Sequence, residues 1–138
     1  MRWSRPGETT PLVVIAHSDP HARQQLGSAL ARAGYPYLST ADAETAHAFA
    51  RVPGVSLVIT DLHARAGGAP CLVRALRRDP APAVRNLPLL VYTWHFTASD
   101  CASVMADGGD AILRMPAPLP TVVDQVRRMA GPAPCVAA

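Results

Sequence analysis

The chain has 138 residues, 49% of them hydrophobic and 17% charged, which is the composition of one folded domain with one core rather than of a disordered segment. Its net charge of +3 comes from 13 basic and 10 acidic side chains, too small an excess to point to nucleic acid. All of the basic residues are arginine, so Schiff-base lysine chemistry and lysine-dependent phosphate loops are excluded.

Met1 to Thr10 reads as a polar tail without an apolar signal core, and no apolar run approaches the ~20 residues of a membrane span. Three scattered cysteines, Cys71, Cys101 and Cys135, have no zinc-ligand spacing and read as reduced thiols of a cytoplasmic protein. Leu12 to Ala16 is a continuous apolar run, the mark of a strand covered on both faces. Asp19-Pro20 follows as cap and first helical residue. Ala22, Leu26, Ala29, Leu30 and Ala33 then recur at helical spacing, and Gly34 stops the helix. Tyr35 to Ser39 is a short strand, and Thr40 is placed to cap a second helix through Ala50.

Val55 to Thr60 is a second buried strand that ends at Asp61. A loop over Ala64 to Ala69 leads into a helix from Pro70 to Arg78, which Asp79-Pro80-Ala81-Pro82 ends. Leu89 to Thr93 is the fourth strand, Ala98 to Asp107 a helix closed by Gly108-Gly109, and Ala111 to Arg114 the fifth strand. Leu119, Val122, Val123, Val126 and Met129 form the inner stripe of a last helix, and Gly131 to Ala138 is a tail. Strands and helices alternating at this spacing imply a parallel sheet with helices on both faces. Chemistry in such sheets gathers beyond the carboxyl ends of the strands, which directs attention to His17, Ser18, Asp19, Asp61, Thr93, Met115 and Pro116.

Three segments at those ends carry a resemblance. Leu57 to Asp61, Pro88 to Thr93, and Gly108-Gly109-Asp110-Ala111 running to Pro116 together resemble the receiver domain of two-component response regulators, over residues 11–130. The resemblance implies a flavodoxin-like (CheY-like) five-stranded sheet of order 2-1-3-4-5, with Asp61 at the phosphoacceptor position, Thr93 at the hydroxyl position and a cis peptide at Met115–Pro116. It also implies a protein partner, either a sensor histidine kinase or a downstream signalling protein. The contact face would run from about Ser99 to Met129 and could also pair two copies. No nucleic acid, membrane or enzymatic role is expected.

The departures from the family pattern are chemical. The family holds Mg²⁺ with an acidic pair after the first strand; His17 and Ser18 stand there. The family's lysine before the last-strand proline is Met115, its aromatic switch is Ile112, and its proline four residues beyond the phosphoacceptor is Arg65. Mg²⁺ prefers carboxylate and water oxygens, so its binding is expected to be weak or absent, and phosphorylation of Asp61 poor. A direct His17–Asp61 contact is expected to replace the metal. Trp94, His95 and Phe96 read either as an exposed patch or as loop packing. The alternative function is a small-ligand-binding module that uses the same crevice.

Overall fold

The computed structural model describes residues 11–62 and 68–133. Five strands, β1 (Leu12–Ala16), β2 (Tyr37–Thr40), β3 (Val55–Thr60), β4 (Leu89–Thr93) and β5 (Ala111–Arg114), form one parallel sheet of order β2-β1-β3-β4-β5. Six helices accompany it among the described residues: α1 (Pro20–Arg32), α2 (Ala43–Ala50), α3 (Gly68–Arg77), α4 (Pro82–Arg85), α5 (Ala98–Asp107) and α6 (Leu119–Ala130). The flavodoxin-like arrangement implied by the sequence is therefore the one adopted.

Successive side chains of a strand point to opposite faces, and the two cores divide on that alternation. Val13, Ile15, Leu57, Ile59, Leu90 and Tyr92 pack on Leu26 and Leu30 of α1 and on Val122 and Val126 of α6. Val14, Ala16, Val58, Leu89 and Val91 pack on Ala46 of α2, Leu72 and Leu76 of α3 and Val104 of α5. Both faces of β1, β3 and β4 are thus covered, which is why these strands read as unbroken apolar runs. Each aliphatic side chain taken fully from water contributes about 1.5–3 kcal/mol.

Helix ends follow local chemistry. Asp19 caps α1 by accepting from the His21 N–H at 2.9 Å. Thr97 and Asp100 form a reciprocal capping box on α5, and Gly108 closes that helix at φ 108°, a backbone setting that favours glycine. Four sequence expectations require correction. The second strand begins at Tyr37, because Tyr35 turns inward and its hydroxyl donates to the Gly131 carbonyl at 2.6 Å. Thr40 ends β2 and accepts from the Asp42 N–H, and Asp42 takes the cap position of α2. Helix α3 begins at Gly68, ahead of the expected Pro70, and ends at Arg77. Pro82 starts α4 rather than ending a helix, since its fixed φ suits a first helical position. The expected loop at 64–69 falls mostly outside the described residues, as do Arg65 and residues 1–10 and 134–138; the side chain of Cys71 is likewise not described.

Two polar clusters tie the helices together, the first of them at the amino ends of β4 and β5. Arg77 donates to the carbonyls of Leu87 (2.7 Å), Arg85 (2.9 Å) and Gly108 (2.8 Å), and pairs with Asp110 at 3.1 Å. Asp79, only 3% exposed, accepts from the Ala81 N–H at 2.9 Å and joins His47 (2.8 Å) and Arg51 (2.6 Å) of the α2 segment. The Ala81 N–H is the largest influence holding the Asp79 carboxyl below its ordinary range. The His47 hydrogen bond and the Arg51 and His47 charges add to it, against the opposing effect of burial.

Candidate functional site at the carboxyl end of the sheet

The chain leaves β1 toward β2 and returns to β3 on the other side, so the carboxyl ends of β1 and β3 form the switch point where such sheets bind. Ala16 lies in register with Thr60, which brings the next residues, His17 and Asp61, side by side. Both are buried, at 1% and 3% exposure. Thr93 and Met115 are also buried nearby, joined through the Met115 N–H donating to the Thr93 carbonyl at 2.8 Å. The Met115–Pro116 bond is cis, as the resemblance implied.

The expected direct His17–Asp61 contact is met only as an approach of 3.7 Å from Nδ1 to Oδ2, and no hydrogen bond joins the two side chains. His17 Nε2 lies 2.8 Å from the Tyr92 carbonyl oxygen, which can only accept, so Nε2 carries the proton. Nδ1 accepts from the Asp19 N–H at 3.2 Å, and its distance to Asp61 Oδ2 is 3.7 Å. These contacts hold an imidazole that bridges from the end of β1 past β3 to β4. The reason is main-chain satisfaction: the buried Tyr92 carbonyl and the part-buried Asp19 N–H both gain partners.

Asp61 is held instead by Ser18. The Ser18 hydroxyl donates to Oδ2, and the Ser18 N–H reaches Oδ1 at 3.4 Å. Asp19, the third residue of the β1–α1 turn, directs its carboxylate to the helix cap. Arg23, one turn into α1, donates to the carbonyls of His17 (2.6 Å) and Ser18 (3.4 Å) and holds this turn. Sequence reading missed Arg23 and Tyr92. Spacing one helical turn beyond the cap could have marked Arg23; Tyr92 acts through a backbone carbonyl, which no side-chain pattern reveals.

These donors do not fit Mg²⁺. A hard, small cation needs several oxygens in near-octahedral array. Asp61 supplies one carboxylate already bonded to Ser18, the His17 Nδ1 lone pair is engaged, and Asp19 faces its cap. Met115 sets an uncharged thioether where the resemblance has a cation. Among the described residues, no three His, Cys, Asp or Glu side chains group as a metal site.

Comparison with solved structures settles the architecture. The chemotaxis protein CheY4 of Vibrio cholerae superposes with a TM-score of 0.80 at 21% identity, over 88% of this chain and 99% of that one. The chain has the receiver-domain fold. A two-component response regulator from Clostridium difficile matches at TM-score 0.77 and 18% identity, covering 86% of this chain and 94% of its own. The receiver domain of the Pseudomonas aeruginosa sensor histidine kinase PA1611, solved with a magnesium ion coordinated in its active-site cleft, matches at TM-score 0.78 and 16% identity, over 89% and 99% of the two chains. No protein-family model matches the sequence, and comparison with curated proteins yields no match.

Proposed function

We propose that this chain is an atypical receiver of two-component phosphorelay signalling that acts in the cytoplasm by protein–protein contact, with weak or no Mg²⁺-dependent phosphorylation at Asp61, and that it is not an enzyme. One observation carries the reading: the Ser18 hydroxyl, rather than a metal-binding carboxylate, stands against the Asp61 carboxylate. Phosphoryl transfer depends on cations over the equatorial oxygens of the transferring group. Here two of the family's cationic contributions are replaced by a serine hydroxyl and a thioether. Each such electrostatic element supplies several kcal/mol, so losing both slows transfer by orders of magnitude.

The partner is a sensor histidine kinase or a downstream signalling protein, and the face proposed for contact runs from Ser99 to Met129. There α5 leaves Met105 45% exposed. The same face would serve a homodimer. No helix among the described residues is long and apolar enough to cross a membrane. The test is modification by a small acyl phosphate with Mg²⁺, followed by intact mass. The unaltered chain is expected to gain little phosphoryl mass. The triple variant His17→Asp, Ser18→Asp, Met115→Lys is expected to gain it faster by at least an order of magnitude. Rapid modification of the unaltered chain would overturn the proposal.

A further inference from the structure

A cavity of about 350 Å³ lies between the start of α1 and the ends of β4 and β5. Tyr92, Trp94, Met115 and Pro116 supply an aromatic and apolar wall, with Asp19 on the α1 rim. Trp94 is 46% exposed, so a large indole surface borders a concavity that a ligand could cover. Asp19 spends Oδ1 on its helix cap. The partial positive charge of a helix N-terminus, about half a unit, offsets only part of the carboxylate's. Among the described residues that line it, His21 and the Tyr92 phenol are the other titratable groups, whereas Arg23 is turned to the His17 and Ser18 carbonyls. With methionine at position 115, the β5 wall contributes no cation.

We propose that this cavity receives a guanidinium, the arginine side chain of a protein partner, stacked on Trp94 and paired with Asp19. The inference rests on the protein-contact reading and names the chemistry of one contact. A guanidinium is planar and weakly hydrated, stacks on indole and donates to a carboxylate oxygen, which matches Trp94 and the Oδ2 that Asp19 leaves outside its cap. An anionic side chain meets the Asp19 charge. A purely apolar one would remove water from that carboxylate and give it no partner.

The test uses Trp3→Phe protein, in which Trp94 is the remaining tryptophan. Its fluorescence is titrated at pH 8 with N-acetyl-arginine amide and with the neutral isostere N-acetyl-citrulline amide. Saturable binding of the arginine probe in the millimolar range is expected, at least tenfold tighter than the citrulline probe. Asp19→Asn should abolish that preference while keeping a good N-cap residue on α1. Equal binding of the two probes, an unchanged preference in Asp19→Asn, or no saturation would overturn the guanidinium site. None of these outcomes touches the acyl-phosphate result, so failure of the guanidinium site and failure of the atypical-receiver reading are read separately.

Discussion

Ser18→Ala removes the hydroxyl that donates to Asp61 and leaves the backbone otherwise intact. Asp61 is 3% exposed, so water replaces the lost donor poorly. The remaining Ser18 N–H lies 3.4 Å away, at the long end of hydrogen bonding. A hydrogen bond to a charged group contributes about 1.5–3 kcal/mol, and this is the expected destabilisation at neutral pH. For a domain of this size that lowers Tm by roughly 4–10 °C. Urea unfolding followed by circular dichroism measures the loss directly. Repeating the substitution in an Asp61→Ala background isolates the pair: with no carboxylate to satisfy, Ser18→Ala should then cost less than about 0.5 kcal/mol. An equal cost in both backgrounds would refute the reasoning, because Ser18 would then stabilise the turn rather than Asp61.

Acid should weaken the Asp79 cluster. Its folded carboxyl lies below the ordinary value, so its contribution is fully present above about pH 4 and is lost as pH falls through the depressed value; Asp79→Asn should flatten that acid limb in urea midpoints measured across the range. A Cβ on Gly27 would lie 2.6 Å from the Tyr37 ring, yet that ring is partly exposed and can swing away. Gly27→Ala should therefore change stability by less than about 1 kcal/mol, and in a Tyr37→Ala background it should stabilise by roughly 0.5–1 kcal/mol through helix propensity, read by thermal unfolding. Arg77→Met leaves the Leu87 and Gly108 carbonyls without their donor and should cost about 1–3 kcal/mol in urea unfolding, and Arg77→Lys should recover less than half, because an ammonium lacks the planar fork.

The sheet was legible because each central strand is buried on both faces and so leaves an apolar run, and because Asp19-Pro20, Gly34 and Gly108 punctuate the helices in their usual places. Register then placed His17 beside Asp61. What followed from there was not legible. The partner that orients His17 is the carbonyl of Tyr92, a group every residue carries, and the approach of Nδ1 to Asp61 depends on how the β1–α1 turn folds. Ser18 looked like a mere loss of charge in sequence, but its hydroxyl is the group that holds Asp61. Thr40 suits a cap by residue type, yet β2 runs through it and the cap position of α2 passes to Asp42. Pro82 carried two meanings, helix breaker and first helical residue, and the bonds from Val84 and Arg85 to the Ala81 carbonyl selected the second.

The central claim is that the Asp61 crevice has exchanged a metal for a hydroxyl. Titration of Mg²⁺ against the backbone amide resonances of Ser18 and Asp61 tests it most directly. The account predicts no saturable shift through the millimolar range in the unaltered chain, and a saturable one once His17→Asp and Ser18→Asp restore the acidic pair. A saturable millimolar site in the unaltered chain, lost in Asp61→Asn, would contradict it.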